Sequence, residues 1–301
     1  MNCPYCHAAV KSSIVDRLLA LSGAVAKRLR KEKCQLSTIN YQLSTMPPLR
    51  TFKIDALQVE VYRQEADIVT NLVRQTQSYL SEVIERQGAA AAILASGASQ
   101  IKLLKDLTTF GEIDWGRITL FHLDEYLGIG GTHPASFQTY MRELVEQQVA
   151  VRKFNYLDGD TLEPIAECDR YYQLLSAQSI DLCFLGIGET GHIAFNDPEV
   201  ADFSDRYPVK LVKLADKSRQ QQVNTGFFDR IEAVPQYALT LTLPTICQAR
   251  KISCLAMGER KADIIKTMLI GEISPACPAS ILRKYPGATL YLDEAAASAI
   301  E

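Results

Sequence analysis

No stretch of this sequence approaches the roughly 18 uninterrupted apolar residues that a membrane-spanning helix needs, so no membrane partner is expected. A basic excess is also missing: 32 Lys and Arg stand against 35 Asp and Glu, for a net charge of -3. That balance lacks the electrostatic footprint of a protein that binds nucleic acid or anionic lipid, and it turns the expectation to a small-molecule partner. The N-terminus lacks the charged start, apolar run and small-residue cleavage site of a secretory signal, so the expected compartment is the cytoplasm. Cysteine is present but rarely in paired spacing. Six of the eight, Cys34, Cys168, Cys183, Cys247, Cys254 and Cys277, are scattered, several of them in apolar runs, as expected of reduced, buried thiols. Histidines at 122, 133 and 192 show no close metal-ligand spacing, and no metal is expected.

What remains is an ordinary globular composition, 47% hydrophobic and 22% charged over 301 residues, long enough to bury a substantial core. The first 48 residues stand apart. They hold Cys3-Pro4-Tyr5-Cys6-His7, a cationic run AKRLRKEK at 26–33, a duplicated QLST, and the closing Met46-Pro47-Pro48. The C-x-x-C has no strand before it for a redox pair and no second cysteine pair nearby for zinc. Residues 1–48 therefore read as a disordered or adventitious extension, and 49–301 as the functional domain.

From Leu49 the pattern is regular. RTFKIDALQVEVY alternates like one strand, and EADIVTNLVRQTQSYLSEVIERQG carries apolar residues at helical spacing with Gly88 at its end. AAAAILASGAS is a buried strand entering a small-residue turn and a helix from about Ser99. RITLFHLDEYLG reads as a strand ending in acidic residues, DLCFLGIGETGH as a strand ending in glycines, and KISCLAMGERKADIIKTMLIG as strand, glycine, helix. Strands alternating with helices predict an α/β fold: a single Rossmann-like, doubly wound, mostly parallel sheet with helices on both faces. Ligands of such sheets bind beyond the carboxyl ends of the strands, where these polar turns fall.

Each turn has a chemical reading and a plainer one. Ser96-Gly97-Ala98-Ser99 offers backbone N–H groups, a helix dipole and two hydroxyls to an anion, or is a simple capped turn. Lys261, at another strand-to-turn junction, reaches the same anion or is a solvated helix lysine. Asp124 and Glu125 put at least one carboxylate toward the pocket, where partial desolvation makes a better proton acceptor, or they cap the surface. In GIGETGHIAFNDP, residues 186–198, the glycines bring His192 close to a ligand, with Asp197 placed to orient its ring, unless the histidine is structural. His122 and His133 read as mainly structural.

Taken together, HLDEYLGIGGTHPASF and GIGETGHIAFNDP resemble the glucosamine-6-phosphate isomerase/deaminase family, related to 6-phosphogluconolactonases, over about residues 50–293. The resemblance implies opening of the pyranose ring of glucosamine 6-phosphate, aldose-to-ketose isomerisation, and release of ammonia to leave fructose 6-phosphate. It implies that Asp124 is the base that takes the C2 proton and that His192 is the ring-opening acid/base. Asp197 then stands where the family usually has a supporting glutamate. Ser96, Gly97, Ala98, Ser99 and Lys261 match its phosphate-binding positions, and no metal or organic cofactor is needed. The chain departs from the family pattern at Thr190, where an aspartate is common, and at Gly226, where a phosphate-binding arginine is absent and Arg219 is expected to compensate. Glu189, displaced by one position, is expected to supply part of the charge missing at Thr190, or else Asp197 alone supports His192. The alternatives are a galactosamine 6-phosphate enzyme, a lactone hydrolase, and a non-catalytic sugar-phosphate sensor using the basic segment. A homo-oligomer is compatible with all of them.

Overall fold

The structure, a computed structural model, describes residues 46–300. The Cys3–His7 motif, the basic run and the repeat, and with them the expectation for residues 1–45, lie outside the described residues. RTFKIDALQVEVY does not run on as one strand. It forms β1 (Arg50–Ile54) and β2 (Leu57–Tyr62), paired antiparallel about a turn in which Asp55 takes φ 52°. The short polar side chain of aspartate tolerates that left-handed backbone. The chain continues through α1 (Glu65–Gln87), β3 (Ala90–Leu94), α2 (Ala98–Phe110), β4 (Ile118–His122), β5 (Asp124–Leu127), α3 (Phe137–Met141), β6 (Lys153–Asn155), α4 (Pro164–Ser176) and β7 (Leu182–Gly186). It ends with β8 (Val209–Lys213), α5 (Asp216–Asn224), β9 (Tyr237–Leu241), α6 (Leu243–Ile246), β10 (Lys251–Ala256), α7 (Ala262–Ile270), β11 (Ala288–Asp293) and α8 (Glu294–Ala297).

Eight strands form the main sheet in the order β1-β2-β11-β10-β7-β3-β4-β6, all parallel except β1. The central strands β3, β7 and β10 are buried nearly throughout, which explains why AAAIL, LCFLG and KISCLA are continuous apolar runs instead of alternating ones. Crossovers β2-α1-β3 and β3-α2-β4 travel one way along the sheet, whereas β10-α7-β11 travels the other. Because such crossovers are right-handed, opposite directions put their helices on opposite faces. Accordingly α1 packs on α2, and α7 on α8. The winding reverses between β3 and β7, so a crevice opens at the carboxyl ends of these two strands.

A second sheet, outside the single-sheet expectation, pairs β5, β9 and β8 antiparallel. The chain leaves the main sheet after His122 and enters this one at Asp124. A cluster of Tyr126, Phe137, Phe195, Phe228, Val212 and Leu214 covers it, with the Tyr126 ring 4.8 Å from Phe137 and 5.2 Å from Phe195. Asp124 therefore begins a strand of a small, aromatic-backed sheet, where the sequence reading had it ending an apolar one.

Candidate active site

One cavity of about 580 Å³ lies over the carboxyl ends of β3, β4, β7 and β10 and is lined by the turn after each of them. Ser96, Gly97, Ala98 and Ser99 form the wall after β3, Asp124 the wall after β4, His192 the wall after β7, and Arg260 and Lys261 the wall after β10. Four segments separated by up to 165 residues thus meet where the winding reverses.

The β3 turn has the geometry to receive an anion. Gly97 precedes α2 with φ 113°, a conformation that side chains rarely adopt, and no side chain caps the helix. The first N–H groups of this 13-residue helix therefore face the cavity without a capping acceptor, at the positive end of its dipole. Lys261 adds a cation. Burial pulls its amine below the ordinary lysine value, Glu189 works against that shift, and Arg260 reinforces it. Neutral serines, helix N–H groups and two cations suit a phosphate monoester, with Lys261 as a point charge.

Across the cavity, His192 and Asp197 form a buried pair, Nδ1 to Oδ1 at 2.9 Å. The Thr190 hydroxyl lies 2.8 Å from His192 Nδ1 and donates to Asp197 Oδ1 at 3.2 Å. Ser218, from α5, donates to the same Oδ1 at 2.6 Å. Burial pushes the Asp197 carboxyl up, but the His192 ring and the Ser218 and Thr190 hydroxyls outweigh it, so the group sits below the ordinary carboxylate value. The pairing commits Nδ1 and leaves Nε2 for a ligand. Close approach is built in at Gly188, where a Cβ would lie 2.0 Å from the imidazole. Only glycine fits beneath this ring.

Asp124 and Glu125 are neighbours with opposite fates, because successive side chains of a strand point to opposite faces. Glu125 turns away from the cavity and takes hydrogen bonds from Ser136 Oγ (2.7 Å), Gln138 N (2.8 Å), Tyr126 N (2.9 Å) and Phe137 N (3.1 Å). It fastens the start of α3. Asp124 is 6% exposed, lines the cavity, and takes no side-chain hydrogen bond from any described residue. Burial, and then the charge of Glu125, hold its carboxyl well above the ordinary value of 3.8. An unpartnered carboxyl of raised proton affinity is suited to take a proton from carbon.

Two expectations are corrected. Arg219 does not reach the cavity: its guanidinium donates to the carbonyls of Ile231 (2.8 Å) and Val234 (3.0 Å) and pairs with Asp216 at 3.1 Å. It clamps a turn, and the second cation in the cavity wall is Arg260. Glu189 is exposed and makes no hydrogen bond to His192; its charge acts on Lys261, and the histidine is supported by Asp197, Thr190 and Ser218. The structural reading of His122 holds: its Nε2 accepts from Leu157 N at 2.8 Å, and burial lowers the ring to about 3. Sequence reasoning missed Ser218, Arg260 and Gln100. Arg260 was legible as the neighbour of Lys261, while the other two carry no motif. Among the described residues no group of three or more His, Cys, Asp or Glu is placed to hold a metal ion, and no helix is long and apolar enough to cross a membrane.

A doubly wound sheet with an uncapped helix start, two cations and a buried histidine–carboxylate pair at its switch point has the form of an α/β enzyme site for a small anionic ligand, and comparison with known proteins shows the family. Residues 63–291 match the model of the glucosamine-6-phosphate isomerases/6-phosphogluconolactonase family. The chain belongs to that family. It is 34% identical over 232 residues to a glucosamine-6-phosphate deaminase of Lactobacillus delbrueckii subsp. bulgaricus, covering 77% of this chain and 96% of that one. It is 37% identical over 221 residues to the glucosamine-6-phosphate deaminase of Listeria monocytogenes, covering 72% and 92%. Among solved structures, a monomeric glucosamine-6-phosphate deaminase superposes with a TM-score of 0.73 at 29% identity, over 80% of this chain and 99% of that one. A 6-phosphogluconolactonase from Shewanella baltica reaches 0.67 at 19% identity, over 80% and 100%, and shares the fold.

Proposed function

We propose that this chain converts glucosamine 6-phosphate and water to fructose 6-phosphate and ammonia. The observation that carries the reading is the unpartnered, buried carboxyl of Asp124 in the same cavity as the His192–Asp197 pair and the anion cradle. The phosphate sits against the first turn of α2 and Lys261. His192 Nε2 moves a proton from the C1 hydroxyl to the ring oxygen, breaking the C1–O5 bond, while Asp197 stabilises the charged imidazole. Asp124 takes the C2 proton as the aldehyde oxygen gains one from solvent, giving an enolamine, and returns its proton to C1. The resulting C2 iminium adds water and releases ammonia.

The buried carboxyl of Asp124 facing the cavity favours this route over lactone hydrolysis, as does the 34–37% identity to deaminases. The free, buried thiols of Cys168, Cys183, Cys247, Cys254 and Cys277 fit the reducing cytoplasm. The test is ammonia release over a panel of hexosamine 6-phosphates and 6-phosphogluconolactone. Glucosamine 6-phosphate is expected to give the highest kcat/KM. Lactone hydrolysis without ammonia release from any hexosamine would overturn the reading.

A further inference from the structure

Gln100 is wholly buried on the first turn of α2, and it is one of the few fully buried polar side chains beside the cavity. Its Nε2 donates to Leu185 O at 3.2 Å and to Ser99 Oγ at 3.2 Å. This assignment of the amide is fixed by its surroundings. The opposite orientation would set two carbonyl oxygens, Oε1 and Leu185 O, at 3.2 Å with no hydrogen between them. The two amide hydrogens are thus both spent, one on the Leu185 carbonyl near the end of β7 and one on the serine. Oε1 is left without a partner.

The consequence falls on Ser99. A serine hydroxyl has one hydrogen, and its oxygen here is already an acceptor. Among the described residues Ser99 makes no other side-chain hydrogen bond, so its hydrogen is uncommitted there, and Ser99 lines the cavity. Gly186 preserves the contact: a Cβ there would come within 3.3 Å of Ser99 Oγ and 3.8 Å of Gln100 Nε2. We propose that Gln100 is a positioning residue that makes Ser99 an obligate donor to the anion held at the start of α2. A serine free to choose would be donor or acceptor, and an anion can use only the donor. By setting an N–H from a buried amide against the Ser99 oxygen, Gln100 turns the hydroxyl hydrogen away from itself and toward the cavity before the anion arrives, so less ordering is left for binding to supply.

This inference rests on the phosphate reading of the cradle, and the test separates the two. Inorganic phosphate is used as the probe, as a competitive inhibitor of ammonia release and as a ligand in calorimetry, with the full-length chain. The set is wild type, Ser99→Ala, Gln100→Met and the double variant, a double-mutant cycle. Thermal unfolding checks each fold, and Gln100→Leu, which likewise removes the donor to Ser99 without adding a charge, stands in should Gln100→Met fail to fold. Ser99→Ala is expected to weaken phosphate about tenfold, the loss of one hydrogen bond to a charged group. Gln100→Met is expected to weaken it about fivefold with Ser99 present and to add nothing once Ser99 is alanine. In both, KM for the sugar phosphate rises while kcat holds, because a phosphate anchor binds ground and transition states alike. Unchanged phosphate affinity in Gln100→Met, or an equal loss in both backgrounds, overturns the proposal. Unchanged affinity in Ser99→Ala also overturns the proposal, whereas wild type that binds no phosphate overturns the cradle itself.

Discussion

Ser218 Oγ donates to Asp197 Oδ1 at 2.6 Å, and Ser218 is the one buried residue of α5. A mostly polar helix, with Val223 against the aromatic cluster, is thus fastened to the histidine–carboxylate pair by a hydroxyl. The bond favours the ionised carboxyl, so its loss makes Asp197 easier to protonate. Ser218→Ala should lower kcat several-fold with little change in KM and move the acidic limb of the pH–rate profile upward, while Ser218→Thr should restore both. Steady-state kinetics over pH checks this. A fall in stability with an unmoved profile would make Ser218 a helix anchor only.

Asp124→Asn should reduce turnover by at least about 100-fold, as expected when a general base is lost, and leave phosphate inhibition intact. It should also stabilise the fold. The Asp124 carboxyl is raised in the folded protein, so wild-type stability is fully present below the ordinary value of 3.8 and declines as pH rises toward the folded value. Asparagine has no such titration, so the Tm difference should be near zero in acid and grow in favour of the variant above it. Near-wild-type turnover in the folded variant would remove Asp124 from the chemistry.

Lys261→Ala should raise KM for the sugar phosphate much more than it changes kcat. Because burial lowers the amine below 10.5, wild-type KM should begin to climb at a pH below that value, and the variant should lack this limb. A pH-independent KM in wild type would return Lys261 to the solvated-lysine reading.

Arg219→Ala should destabilise the fold by about 1–3 kcal/mol, the cost of leaving the Ile231 and Val234 carbonyls without their donor, with KM unchanged. Denaturant unfolding and kinetics on the same preparation separate this from a phosphate-binding role, in which KM would rise first.

Gly188→Ala should disable turnover without unfolding the protein, because the new methyl would occupy the space of the His192 ring. Circular dichroism and a rate assay suffice. Full activity would mean that the ring has another working position.

The sequence by itself determined the α/β architecture, because apolar runs such as LCFLG and AAAIL and the periodic 65–87 helix are local patterns that burial on both sheet faces imposes. It also marked the turns that line the cavity, since glycine and helix-start requirements act over a few residues. Other features were decided only in three dimensions. The Asp55 turn inside an alternating run depends on one residue's backbone preference, and the transfer of Asp124 to a second sheet depends on its pairing with Thr240. Arg219 sits in a cation-rich stretch of sequence, yet whether a guanidinium meets a ligand or two backbone carbonyls is a matter of distances between residues 12 and 15 apart. Ser218 and Gln100 carry no signature at all, because a serine on a polar helix and a glutamine after a turn acquire their roles from the atoms folded against them, Asp197 Oδ1 in one case and Leu185 O in the other.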